Sequence, residues 1–368
     1  MAVNEKIADM EEEYDDIAFA FIPDYYMTEY HYPKSEKMIK LVRNLEERRG
    51  PVAWESIGRA MLLLGYRFTS INIQDQSFSP TDASCLVVPA AKYMSRGIQE
   101  KLVRYMKDGG VVILFGEVPQ YDMEGKRCTI LADALGIEVF GEKREKFRYY
   151  LSVYTSGWAA GRPERRVNFA QTIDIKRGTP ILHVSGTDEI CGADIQLENG
   201  RCIVISATYQ CDLDFYCSLF SAIGIKPGLM HDCDEHGIFS TSVANEKGER
   251  FIHFINLDGI DKQFHVYFNG KTLFEGRQLT LASKDAVMLP IHVEIPQGEI
   301  IYSTAEIYHI DKDSIKFRLS QDKDVIVLET SRTVKENPYY SVKKKDNVTY
   351  IYSHVHAKVE PFLTVYFE

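Results

Sequence analysis

The chain has 368 residues, 45% hydrophobic and 26% charged, which is the make-up of a folded protein with a sizeable core and two or three domains. A net charge of −10 with no basic stripe argues against a nucleic-acid partner. No apolar run reaches the length of a membrane span, so the expected setting is cytoplasmic, without a membrane partner.

The first sixteen residues hold seven acids and one lysine, and residues 1–15 read as an acidic lead. Ile17–Phe21 is a first buried strand. It opens into a loop carrying Asp24, Tyr25, Tyr26, Glu29, Tyr30 and Tyr32. Ser35 can cap a helix through Leu45, and Gly50-Pro51 opens another through Gly65. Phe68–Ile73 follows as a strand.

Ser84–Gly116 is the organising stretch. Cys85–Pro89 is apolar. Ile98, Leu102, Tyr105 and Met106 then share one helical face, Gly109-Gly110 ends the helix, and Val111–Phe115 is apolar again. Strand, helix and strand in this order form a βαβ unit, and strands apolar on both sides belong inside a parallel sheet. Thr129–Leu135 and Ile137–Phe140 add a helix and a strand.

Beyond residue 140 the pattern becomes one of short strands, with Asn199-Gly200 as a hairpin turn and Leu213–Ile223 as a last helix. Lys226–Gly237 reads as a connector, and period-two alternation runs from Ile238 to the end. The expected fold class is α/β plus all-β. A doubly wound, mostly parallel sheet over 16–226 is followed by a β-sandwich over 238–300 and a second small β domain or extension over 301–368.

The common catalytic motifs are missing from the sequence. There is no G-x-G-x-x-G and no phosphate-cradling Gly-rich loop, and no cofactor is expected. The turn after the first strand of the βαβ unit reads Ala90-Ala91-Lys92, where a hydrolase elbow needs Ser or Cys. Cys85 lies inside the strand and reads as core. The seven cysteines, none in C-x-x-C spacing, read as reduced thiols. His231–His236 holds every common metal-ligand type, but nearly consecutively, and reads as a solvated connector rather than a metal site. His354 and His356 read as surface histidines on one strand face, and His292-x-Glu294 as part of another strand. The tyrosine loop admits two roles. Its rings can pack against a neighbouring domain or subunit. They can also contact carbohydrate with Asp24 and Glu29, since open sheets bind ligands at the C-terminal strand edge.

Leu86–Pro89, Leu102–Tyr105 and Gly109–Phe115 resemble the middle domain of β-galactosidases of glycoside hydrolase family 42 and of some relatives classed with family 35. Trp54–Asn72 resembles the helix and strand ahead of it, and Arg250–Val293 resembles the small β domain that follows. The resemblance implies a flavodoxin-like, class I amidotransferase-like fold without amidotransferase activity, serving trimer formation. It also implies a catalytic (β/α)₈ barrel, present as a further domain or as a separate subunit, that would carry the acid and nucleophile. No catalytic residue is therefore assigned within 1–368. The expected function is a non-catalytic, oligomerising region of such an enzyme with accessory carbohydrate contact. The alternative is a free-standing carbohydrate-binding protein with lectin-like β modules. An active amidotransferase-like hydrolase is a third reading, opposed by Ala90-Ala91.

Overall fold

The computed structural model describes residues 6–25, 54–146 and 150–368. They fall into two compact units, one within 14–64 and 68–226, the other within 1–13, 65–67 and 227–368.

The first unit is an eleven-stranded sheet. Thr69–Asn72, Ile17–Phe21, Cys85–Ala90, Val111–Gly116 and Gly200–Ile205 lie side by side, all parallel. The helix Arg96–Lys107 forms where its apolar spacing predicts. The Ser95 hydroxyl accepts from Ile98 N at 3.3 Å as its N-cap, and Arg104 and Lys107 oppose the dipole in its last turn. Ile98, Leu102, Tyr105 and Met106 bury against Leu86, Val88, Val112 and Leu114. The Tyr105 hydroxyl donates to Ala83 O at 2.6 Å.

The rest of the sheet is not doubly wound. Ile190–Leu197 runs antiparallel to Gly200–Ile205, Thr179–Val184 antiparallel to Ile190–Leu197, and Ile137–Arg144 antiparallel to Phe169–Ile175. The described residues are 45% strand and 15% helix, so a mostly parallel, doubly wound fold is overturned. Among the described residues, no α-helix lies between Leu135 and Leu213, and a parallel pairing needs a long crossover. Short connections make hairpins of Thr179–Val184 with Ile190–Leu197 and of Ile190–Leu197 with Gly200–Ile205, and hairpins are antiparallel. The βαβ unit is genuine, but it does not set the pattern beyond its own neighbours.

The second unit is layered. An eight-stranded sheet runs from the edge strand Glu11–Glu12, through Ile238–Ala244, Arg250–Asn256, Ala286–Ile295 and Gly298–Ser303, to the opposite edge strand Tyr340–Lys345. Alternation decides which face each side chain serves. Ile252, Phe254, Val325 and Val327 meet Phe264, Val266, Phe274 and Leu279 on one side. Phe251, Ile326, Leu328 and Ile351 meet Ile307, Ile315, Phe317 and Val365 on the other. Lys343, Lys344 and Lys345 are exposed along the edge strand, where charge discourages further pairing.

Residues 11–13 belong to this second unit. Arg250 Nε and Nη2 each donate at 2.8 Å to the Glu13 carboxylate, which also accepts from the Ser242 hydroxyl at 2.7 Å. Burial pushes the Glu13 carboxyl up, but Arg250, Ser242 and Arg67 outweigh it, and the net shift is downward. The group therefore stabilises the fold above the ordinary glutamate range near pH 4.5, and that stability is lost as pH falls through the depressed value. Arg250→Ala should cost about 2 kcal/mol in urea unfolding at neutral pH. The difference between variant and parent should shrink once acid has protonated Glu13.

Candidate functional site

The carboxyl edge of the parallel strands is where an open sheet of this kind presents its chemistry. Here the turn after Cys85–Ala90 is closed by the protein itself. Ala90 O accepts from Glu117 N at 2.9 Å. Ala91 N donates to the Tyr25 hydroxyl at 3.3 Å, and that hydroxyl donates to Tyr93 O at 2.8 Å. Lys92 O accepts from Gln120 N at 2.9 Å and Tyr121 N at 3.1 Å, and Lys92 Nζ pairs with Glu142 at 3.2 Å. Gly116, at φ +118°, lies so close that a Cβ there would sit 2.2 Å from Ala90 O. The turn has no nucleophile, and the Ala91 N–H is already engaged, so it cannot receive an oxyanion.

Tyr25 is thus a packing residue, 4% exposed, with burial pushing its hydroxyl up. Asp24 is tied beside it: Asp24 N donates to Gln74 Oε1 at 3.1 Å, and Gln74 Nε2 returns a bond to Asp24 Oδ1 at 3.0 Å. Tyr26, Glu29, Tyr30 and Tyr32 lie outside the described residues. Tyr25→Phe removes one donor and the Ala91 acceptor, and should cost about 2 kcal/mol in denaturant unfolding.

The cysteines of this sheet are inert. Burial pushes the thiols of Cys85, Cys191 and Cys202 well up, so none is a thiolate near neutrality. A second feature of this unit escaped the sequence. A polar cleft of about 280 Å³ is lined by Glu55, Glu145, Arg166, Asn168, Thr208 and Gln210. Arg166 pairs with Glu145 at 2.5 Å and lies 4.3 Å over the Tyr150 ring. Thr208 Oγ1 donates to Asn168 Oδ1 at 2.5 Å, and Gln210 Nε2 to Arg166 O at 3.0 Å. Isolated polar residues from separate loops and one strand end carry no local pattern from which to foresee it.

The histidine-rich segment is not a free connector. Leu229–His231 is a strand paired with Val266–Phe268. Asp232 holds His265 through a backbone bond at 2.6 Å and a ring contact at 2.8 Å. Lys262, 1% exposed, reaches His236 O at 2.7 Å, Glu235 O at 3.3 Å and Asp258 Oδ2 at 3.1 Å. A buried ammonium needs such partners, and they pin the segment. His354 and His356 are not on a strand face either. The strand ends at Ser353, and His356 pairs with Asp322 at 2.6 Å. His292 pairs with Glu299 at 2.7 Å on an exposed surface, and Glu294 with Lys247 at 3.2 Å. Among the described residues no three His, Cys, Asp or Glu side chains gather as a metal site, and no helix is long and apolar enough to cross a membrane.

Comparison with known proteins gives this fold a setting. Residues 35–171 match the family described as GLMA-like, second domain. The chain is 26% identical over 279 residues to an exo-β-D-glucosaminidase of Pyrococcus horikoshii, covering 71% of this chain and 33% of that protein. It is 24% identical over 243 residues to the exo-β-D-glucosaminidase of Thermococcus kodakarensis, covering 63% and 30%. In fold it is similar to the β-galactosidase of Bacillus circulans sp. alkalophilus, with a TM-score of 0.58 at 13% identity, covering 78% of this chain and 42% of that one. The chain contains a glycoside hydrolase-related domain. It spans about a third of the length of the curated relatives it matches.

Proposed function

We propose that this chain is a non-catalytic region of a glycoside hydrolase that removes β-linked hexose or hexosamine units. The parent activity is inferred from the relatives' names, exo-β-D-glucosaminidase and β-galactosidase. The observation that carries the non-catalytic part is the closed turn Ala90–Lys92, where backbone and Tyr25 occupy the positions a reacting group would need. The role we assign to the first unit is association, with further copies of the chain or with a catalytic barrel supplied elsewhere. Accessory sugar contact from the loop that begins at Asp24 belongs to the same proposal. We place the protein in the cytoplasm, a setting that its free thiols suit.

Light scattering on the purified chain tests the association. A concentration-independent oligomer, with three copies as the form expected, supports the reading. A strict monomer at tens of micromolar, alone and after mixing with a barrel-bearing glycosidase partner, would defeat it.

A further inference from the structure

The second unit has an aromatic surface that the assembly reading does not use. Tyr350 and Tyr352 alternate on one face of the strand Val348–Ser353, with ring centroids 6.3 Å apart and planes within 12°. Their strand neighbours are Val327 and Val325 on one side, Lys343 and Ser341 on the other. Both rings pack against the core cluster that contains Phe274 and Leu279, and both are partly exposed. Two nearly parallel rings set side by side along a strand form a short stacking platform.

Polar groups surround it. The Tyr350 hydroxyl donates to Glu275 at 3.1 Å. Arg277 and Lys343 stand 5.8 and 5.5 Å from the Tyr352 ring centre, at the far end of the range for such contacts. Arg277 also lines an open cleft of about 250 Å³ with Gln278, Gln321, Asp322 and Lys323. Tyr302, 7% exposed, has Arg277 and Glu275 beside its hydroxyl, which burial pushes up, with Arg277 opposing the rise and Glu275 adding to it.

We propose that Tyr350, Tyr352 and the Arg277 cleft form a saccharide-binding site for a neutral, β-linked oligosaccharide of hexopyranose units. Successive sugar rings present apolar C–H faces, which two adjacent tyrosines match. The guanidinium, amides and carboxylate of the cleft serve the hydroxyls. Two cations, Arg277 and Lys343, stand beside the Tyr352 ring, and the Glu275 carboxylate is held by the Tyr350 hydroxyl. A polyglucosamine chain would meet like charge there. The site needs only the 227–368 unit and does not depend on how the first unit associates.

Calorimetry on the full chain tests this, using a β-1,4-linked glucose tetramer and its glucosamine counterpart as probes. The neutral tetramer should bind with a dissociation constant of about 1 mM or tighter, and the cationic one more weakly. Tyr352→Ala should weaken binding about tenfold or more. Should that variant fail to fold, Lys343→Glu at the exposed edge serves instead and should narrow or reverse the preference between the probes. Binding of neither probe by the parent chain, equal or tighter binding of the glucosamine tetramer, or affinity unchanged in a folded Tyr352→Ala or in Lys343→Glu would each overturn the proposal. The oligomeric state plays no part in these outcomes, so failure here leaves the association reading to its own test.

Discussion

Gly200→Ala should destabilise the first unit by about 3 kcal/mol or more, near the upper end for an overpacked site. Gly200 opens the strand Gly200–Ile205, and a Cβ there would lie 2.1 Å from Met106 O and 2.3 Å from Gly110 O. Both obstacles are backbone, at the end of the helix Arg96–Lys107, so neither can swing aside. The hairpin tip beside it grips the same helix end. Asn199 Nδ2 donates to Lys107 O at 3.3 Å, and Glu198 pairs with Lys107 at 2.8 Å. Thermal unfolding should shift by roughly 6–12 °C in this transition. Gly224→Ala is the control. Its site has a positive φ of +81° but open space around it, so it should lose only about 1 kcal/mol. Equal losses at the two glycines would mean that close packing against the helix end is not what Gly200 serves.

Asp324→Ala should be comparably severe in the second unit, at about 3–5 kcal/mol. Asp324 is fully buried and accepts from the Thr304 hydroxyl at 2.8 Å, Ser320 N at 2.9 Å and Gln321 N at 3.0 Å. Truncation leaves these donors without their acceptor. Burial dominates its acidity and pushes it up to about 6, against those donors, with Glu306 adding to the rise. Because the folded value lies above the ordinary 3.8, the group's favourable contribution is fully present below about pH 4 and is lost as pH rises through about 6. That window spans at most about 3 kcal/mol. Asp324→Asn should flatten the stability profile between pH 4 and 6, as followed by urea unfolding at several pH values. An unchanged slope would place the titration on another group.

Much of the first unit was legible because local and global signals agree there. The run from Cys85 to Gly116 has apolar strands, a one-faced helix and a glycine stop, and each forms as its spacing predicts. Strand direction was not legible beyond it. Ile137–Arg144 alternates in burial, but alternation does not say whether a partner runs up or down. The Asn199-Gly200 pair announced a hairpin correctly. Yet the turn is Glu198-Asn199, and Gly200 is a strand residue chosen for space against the helix. The acidic lead gave no hint that Glu11–Glu13 pairs with Val243, Ala244 and Arg250, because a two-residue edge strand has no periodicity. The segment from His231 to His236 is solvent-facing as its composition suggests, with Asp232, Asp234, Glu235 and His236 exposed, but its anchors, Lys262 and His265, stand some thirty residues further along and left no local sign.

The candidate sites were less legible than the fold. Tyr25 is polar and aromatic in a loop, which suits a surface or a core equally. Only its bonds to Ala91 and Tyr93 decide, and they close the turn that would otherwise carry chemistry. Tyr350 and Tyr352 were visible as alternating strand residues. Their surroundings, Glu275, Arg277 and Tyr302, come from distant parts of the chain that only the folded sheet assembles.

We propose that this folded chain holds no glycosidic catalyst of its own. The direct measurement is turnover of chromogenic β-glucosaminide and β-galactoside by the purified polypeptide at micromolar concentration. Release of chromophore at the buffer rate, with both substrates, is the predicted result. Saturable hydrolysis at enzymatic speed, unaffected by further purification, would contradict it.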